Sequence, residues 1–359
     1  MKILTVIGAR PQFIKAATVS RVIVTMDNVT EMVVHTGQHF DANMSDIFFE
    51  QMDIPKPDYN LEISSLSHGA MTGRMLEEIE GIIINEKPDW VLVYGDTNST
   101  LAGALAASKL HVKVAHVEAG LRSFNMRMPE EQNRIITDRL SSILFCPTAA
   151  ATVNLDAEGY KTFGTEIINI GDVMFDAAMY YKSKAEKPAG LYAKHEAGFI
   201  LATVHRAENT DDVEKLTQIV SSLNELNKSV PVILPLHPRT RNIIEKIGIP
   251  LEVDVIEPVG YLEMIYLLQH CQFVASDSGG VQKEAYFFNK HCLVLREETE
   301  WMELVEAGAN FIVGSDYKLI TSKGSELLSD KASSSCFGQN LYGTGDAARL
   351  IVDRLICGN

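Results

Sequence analysis

The sequence predicts an α/β protein made of two doubly wound parallel sheets in series. Three observations carry that reading. Short β-branched apolar runs alternate with helical patterns along almost all of the 359 residues, and strands joined by crossover helices assemble into parallel sheets. The rhythm restarts after a polar stretch, Lys182–Gly190 (KSKAEKPAG). The chain is also long for one hydrophobic core, so two domains are the default.

In the first half, Lys2–Gly8 (KILTVIG) reads as a buried strand, Phe13–Met26 as a helix and Met32–Thr36 as a second strand. His68–Glu86 carries a helical stripe at Met71, Met75, Ile79, Ile82 and Ile83, and Pro88 ends it. Strand Trp90–Gly95, a small-residue helix Ser99–Leu110 and strand Lys113–Val117 follow. A helix from about Pro129, strand Ile143–Cys146, a helix over Ala149–Glu158 and strand Ile167–Ile170 complete the half. The second half repeats the alternation: strand Phe199–Val204, helix Asp212–Asn227, strand Val232–Leu236 and helix Thr240–Ile247. Strands at Val253–Ile256, Phe273–Ser276, Cys292–Leu295 and Phe311–Val313 have helices between them, and an amphipathic helix at about Asp346–Ile356 ends the chain. The boundary is expected near Gly171–Lys187, giving domains 1–171 and 172–345.

A hydrophobic fraction of 46% with 22% charged residues excludes disorder as the main state. The net charge of −15 is a poor match to nucleic acid or an anionic membrane, so any anion must be held by local positive features. The five cysteines (Cys146, Cys271, Cys292, Cys336, Cys357) are odd in number and lack CxxC spacing. They read as reduced thiols in a reducing compartment, the cytoplasm. No apolar run approaches the ~20 residues of a membrane helix, and the N-terminus reads as a strand, not a signal peptide.

The chemistry gathers at strand C-termini. Arg10 follows the first strand, Asp96 follows WVLVYG and Glu118 follows VKVAHV; in the second half come His205, His237, the turn Ser278-Gly279-Gly280, and Arg296. Ligands of open parallel sheets bind outside the carboxyl ends of the strands. Arg10 and Lys15 in GARPQFIK, and the small turn in SDSGGVQKE, suit an anion at a helix start. Glu284, one turn into that second helix, could accept ribose hydroxyls or be a plain surface carboxylate. Asp96 and Glu118 are acid–base candidates. Glu130 is a weaker one, because Pro129-Glu130-Glu131 is also an ordinary helix start. SGG could be a mere flexible turn, and a lone His is more often structural. Neither GxGxxG nor a Walker motif is present, no zinc-ligand spacing occurs, and neither metal nor cofactor is expected.

GARPQFIK, YGDTNSTLAG, HVEAGLRS, MPEEQNRIITD, NIGDVMFDA, HRAEN, SDSGGVQKEA and LREETE together resemble, in order from Met1 to about Gly314, the non-hydrolysing UDP-N-acetylglucosamine 2-epimerases. The resemblance implies a GT-B-like fold of two Rossmann-like domains with the active site in the interdomain cleft. It also implies a homodimer, a C-terminal helix (about 346–357) returning to the first domain, and a role in surface-polysaccharide precursor supply. It assigns Asp96, Glu118 and Glu130 as catalytic carboxylates and His205 as the residue beside the departing diphosphate. Arg10 and Lys15 become nucleotide ligands, Ser278, Gly279 and Gly280 the diphosphate cradle, Glu284 the ribose carboxylate, and Arg296 another cleft cation; His237 is expected to contact the UDP-sugar from its strand-end position.

The implied chemistry is elimination of UDP to a 2-acetamidoglucal, followed by re-addition with protonation from the other face. Carbon 2 has no neighbouring carbonyl, and the oxidative alternative would need a nicotinamide fingerprint. The chain departs from the commonest family pattern: GTRPE reads Gly8-Ala9-Arg10-Pro11-Gln12, HRREN reads His205-Arg206-Ala207-Glu208-Asn209, and TERPE reads Thr299-Glu300-Trp301-Met302-Glu303. Those departures keep a UDP-2,3-diacetamido-2,3-dideoxyglucuronic acid substrate open beside UDP-GlcNAc, and make a second, regulatory nucleotide-sugar site doubtful. A GT-B glycosyltransferase would share fold and nucleotide site but needs an acceptor groove.

Overall fold

In a computed structural model of the chain, described over residues 1–38, 54–329 and 334–358, two compact units form. One comprises Met1–Ala177 with Leu341–Asn359, the other Ala178–Asn340. His39, read from sequence as structural, lies outside the described residues.

The first unit holds β1 (Lys2–Ile7), β2 (Thr30–His35), β3 (Tyr59–Asn60), β4 (Trp90–Tyr94), β5 (Lys113–Val117), β6 (Ile143–Cys146) and β7 (Glu166–Asn169). They form one parallel sheet in the order β3-β2-β1-β4-β5-β6-β7. β1 is central because KILTVI is buried almost throughout, and a parallel strand covered by helices on both faces must be apolar on both. Helix His68–Glu86 buries all five residues of its stripe against the sheet and stops at Lys87, left-handed before Pro88. Helix Asn98–Lys109 presents Ala102, Ala104, Ala106 and Ala107, all fully buried, so small side chains let it lie close on the strands. Helix Arg10–Ile23 starts three residues earlier than the sequence suggested. Pro11 sits in its first turn, where the missing N–H costs nothing.

The second unit holds β8 (Ile200–Thr203), β9 (Val232–Pro235), β10 (Asp254–Ile256), β11 (Phe273–Ser276), β12 (Cys292–Val294) and β13 (Asn310–Ile312). Their order is β10-β9-β8-β11-β12-β13, again all parallel. Its core lies between these strands and helix Val213–Asn227, where Leu216, Ile219, Val220 and Leu223 meet Phe273 and Leu234. Cys146, Cys271, Cys292 and Cys336 are buried free thiols and Cys357 is exposed.

The last helix, Ala347–Cys357, belongs to the first unit. It packs on helix Arg10–Ile23, and Arg354 pairs with Glu166 of β7. The outgoing and returning chain segments meet at Gly171 and Gly343, with φ of 84° and 85°. A Cβ on Gly171 would lie 2.7 Å from the Tyr342 carbonyl oxygen, and one on Gly343 would lie 2.9 Å from the Gly171 Cα, so both sites exclude side chains. Asp176 Oδ2 then accepts from the Ala348 amide at 2.8 Å, capping the terminal helix.

Burial raises the Asp176 carboxyl to about 6, against the opposing backbone bonds from Ala348 and Ala347. An acid with a raised folded-state pKa contributes stability in full below its unfolded pKa and loses it as pH rises through about 6. Asp176→Asn keeps an acceptor but cannot ionise. Its melting temperature relative to the natural protein is expected to be higher at pH 7.5 than at pH 4.5. A pH-independent difference in thermal unfolding would contradict this.

Candidate active site

Both sheets reverse strand order once, between β1 and β4 and between β8 and β11. Connections leave in opposite directions there, opening a crevice at the strand C-termini. In the first unit the turn after β1 is fastened across this point. Gln12, 2% exposed, accepts from the Gly8 and Ala9 amides at 2.8 and 3.0 Å and donates to the Tyr94 carbonyl at 2.6 Å. Gly8 has no room for a Cβ, which would collide with Ser99 Oγ and Thr36 Oγ1. This turn delivers Arg10 to the first position of its helix and Lys15 one turn later.

Lys15 forms an ion pair with Glu118, and Arg134 forms one with Asp96. Arg134 also donates to Glu131 at 2.9 Å. Asp96 and Glu118 therefore stand in one charge cluster with two cations. The Asp96 carboxyl is raised above the usual range, chiefly by burial; Arg134 and Lys15 pull it down, Glu118 and Glu130 push it up. Burial thus opposes ionisation of Asp96 while the neighbouring cations favour it. Glu118 sits at φ 68° and Gly95 at φ 65°. A left-handed non-glycine residue persists only where its surroundings over-determine it.

The neighbouring acids Glu130 and Glu131 separate cleanly. Glu130 is exposed in the first turn of helix Pro129–Leu140, near enough to Asp96 to act on it electrostatically. Glu131, 1% exposed, accepts from the Ser123 and Phe124 amides at 2.9 Å each and so holds the preceding loop. Behind the cluster, His116 joins Asp138 and the Gly95 carbonyl, and Asp138 reaches Arg122.

The second unit uses the same topology with a different inventory. Asp277, wholly buried, accepts from the His205 and Arg206 amides at 3.0 and 2.9 Å and lies 3.2 Å from His205 Nδ1. It orients the turn after β8 and presents the exposed His205 ring. Ser276 Oγ bonds Thr203 Oγ1 at 2.6 Å and accepts from the Ser278 amide at 2.9 Å. Ser278 precedes helix Gly279–Phe287, whose first two residues are Gly279 and Gly280. Free amides at such a start favour an anion. Trp301 donates from its indole nitrogen to the Gly279 carbonyl at 2.9 Å, and the Lys283 ammonium lies 4.5 Å from the indole centroid.

Glu284 is buried in the second turn of the same helix. Arg296 pairs with Glu208 at 3.1 Å and Glu300 at 2.8 Å. It lines a small cavity with Asn209, Lys215 and Glu297. His237 caps helix Pro238–Ile247, its Nδ1 accepting from the Arg239 amide at 3.2 Å. Its ring proton therefore belongs on Nε2.

The structure thus gathers Arg10, Lys15, Asp96, Glu118 and Glu130 at one unit's strand ends, and His205, Ser278, Gly279, Gly280, Glu284, Arg296 and His237 at the other's. Sequence reasoning overlooked Gln12, Arg134, His116, Asp138, Asp277 and Trp301 as parts of these sites. Asp277 had a local signal as the acid immediately before the SGG turn, and Gln12 and Trp301 stood out as departures from the family pattern.

The profile of the family described as UDP-N-acetylglucosamine 2-epimerase matches residues 23–356. A Pseudomonas aeruginosa protein named UDP-2,3-diacetamido-2,3-dideoxy-D-glucuronate 2-epimerase is 60% identical over 361 residues, covering 99% of each chain. The structure of the UDP-GlcNAc 2-epimerase from Methanocaldococcus jannaschii superposes with a TM-score of 0.87 at 39% identity, covering 99% of this chain and 100% of that one. The Neisseria meningitidis UDP-GlcNAc 2-epimerase bound to UDP-GlcNAc gives 0.84 at 34% identity, over 99% and 100%.

Because Arg134 lowers the Asp96 carboxyl, Arg134→Gln is expected to move it further up. Carboxyl ¹³C titration of Asp96 in the two proteins reads this directly; an unmoved or lowered midpoint would show that Arg134 does not set it.

Proposed function

The chain belongs to the UDP-N-acetylglucosamine 2-epimerase family, and from that premise we propose that it is an isomerase inverting carbon 2 of a UDP-linked 2-acetamido sugar. UDP-2,3-diacetamido-2,3-dideoxyglucuronate is the best-supported substrate. The whole-length similarity to the Pseudomonas aeruginosa protein carries the substrate reading. UDP-GlcNAc is the second reading, because the solved relatives at this fold similarity bear that name.

In the proposed reaction a carboxylate takes the carbon-2 proton while the carbon-1–oxygen bond breaks and UDP departs with the electron pair. The resulting glucal then accepts the UDP oxygen back at carbon 1 and a proton at carbon 2 from the opposite face. No net redox change occurs. Asp96, Glu118 and Glu130 are the proton donors and acceptors. Each of the first two faces a cation, Asp96 facing Arg134 and Glu118 facing Lys15, and burial raises the Asp96 carboxyl, which supports a part in proton transfer. His205, held by Asp277, stabilises the leaving diphosphate, with the amides of Ser278–Gly280 receiving its oxygens. Arg10, Lys15 and Arg296 supply charge, Glu284 takes the ribose, and His237 completes the nucleotide contacts. A homodimer working in the cytoplasm, in polysaccharide precursor supply, is part of the same proposal; light scattering tests the dimer.

Incubation with each UDP-sugar in heavy water, followed by NMR, is expected to place deuterium at carbon 2 of the intact UDP-sugar, faster with the diacetamidoglucuronate. Free sugar would indicate hydrolysis instead. Transfer only with an added acceptor would indicate a glycosyltransferase. Asp96→Asn and Glu118→Gln should each lower kcat about 10²-fold or more. Trp301→Phe keeps a ring but loses the bond to Gly279, so the affinity for UDP by calorimetry should fall about five-fold, the worth of one buried hydrogen bond.

A further inference from the structure

The pair His116–Asp138 touches none of the residues given a chemical role above through its own side-chain bonds, yet it holds the backbone on both sides of the carboxylate cluster. His116 is wholly buried on β5, two residues before Glu118. Its Nε2 lies 2.7 Å from the Gly95 carbonyl oxygen and its Nδ1 lies 2.7 Å from Asp138 Oδ1. A carbonyl only accepts, so Nε2 carries a proton aimed at the peptide joining Gly95 to Asp96. Asp138 Oδ2 accepts from the Gly120 amide at 3.2 Å and from Arg122 at 2.7 Å. Arg122 is anchored in turn by Glu158, at 2.7 and 2.9 Å.

The two turns that this network grips are the ones that carry the two acids. Gly95 and Glu118 are both left-handed, at φ 65° and 68°, and the Gly95 amide donates to the Val117 carbonyl at 2.9 Å. Rotation of the Gly95–Asp96 peptide would swing the Asp96 carboxyl; the Ala119–Gly120 peptide, one residue beyond Glu118, fixes the course of the chain that leaves Glu118. His116 restrains the first and Asp138 the second, and their mutual bond makes the restraints one unit. We infer that His116 and Asp138 form a positioning pair that sets the relative aim of Asp96 and Glu118. Neither contacts substrate. The inference rests on the proposed epimerase reading, because it matters only if those carboxylates work together on one carbon. A misplacement of about 1 Å at reacting groups can cost on the order of 10² in rate.

Two near-isosteres separate aim from packing. The amide nitrogen of glutamine takes the place of His Nε2, and that of asparagine the place of Nδ1. His116→Gln keeps the donor to Gly95; His116→Asn keeps only the contact with Asp138. With wild type turning over as a control on the epimerase reading, kcat should fall about 10- to 100-fold in His116→Asn and less in His116→Gln. The dissociation constant for UDP should stay within about threefold in both. Asp138→Asn serves as a third variant, with kcat lowered and UDP affinity kept. Folded variants with kcat within twofold of wild type would overturn the inference. So would Asn outperforming Gln, or UDP affinity falling in step with kcat. If no variant folds, the pair is a stability element and the inference is equally overturned. A wild-type protein that never labels carbon 2 refutes the epimerase reading instead, which keeps the two failures apart.

Discussion

The structure depends on one electrostatic constraint: two carboxyls, Asp96 and Glu118, share a partly dehydrated crevice at the ends of adjacent strands. Like charges in low dielectric cannot both ionise freely. The chain answers with one cation for each, Arg134 on Asp96 and Lys15 on Glu118, and still leaves Asp96 raised. Much of the nearby structure follows from holding that arrangement. Arg134 is itself braced by Glu131, and Glu131 by the loop amides it accepts from. Gln12 locks the turn that carries Arg10 and Lys15 to the β4 turn that carries Asp96.

The second unit solves a different problem with the same topology. Its strand ends at the order reversal present backbone amides and small residues, with one buried acid, Asp277, satisfied by the amides of the β8 turn and by Asn209. A buried carboxylate bonded in this way organises a loop without offering acid–base chemistry to a ligand. In the first unit Asp96 keeps some exposure, Glu118 is buried, and each faces a cation. The acids of the second, apart from Glu284, are mostly scaffold or counter-ions, as Glu208 and Glu300 are to Arg296.

Departures from the commonest family pattern acquire a physical sense here. Trp301 stands where the pattern has arginine; its indole reaches the carbonyl of Gly279, and its ring faces the Lys283 ammonium. Gln12 stands where the pattern has glutamate, and its amide nitrogen points at the Tyr94 carbonyl, which a carboxylate could not bond. Nothing in the structure explains Ala207.

Local information was enough for the fold class, the parallel strands, and the placing of the candidate residues at strand ends. The helical stripe from Met71 to Ile83 was legible because its period is a property of neighbouring residues. Arg10, Asp96, Glu118, His205 and the SGG turn were legible because a polar group immediately after an apolar strand has only one edge of the sheet to occupy. Tyr59–Asn60 was not legible, since a two-residue edge strand carries no period. Nor were the groups that tune the candidates. Arg134 and Asp96 are 38 residues apart, Asp277 and His205 72, and Gln12 and Tyr94 82. Pairings at those separations come from strand order and crossover path, and no local pattern encodes them. Sequence alone therefore determined which residues could act; the tertiary structure decided which charge meets which, because only the folded sheets bring distant strand ends within hydrogen-bond reach.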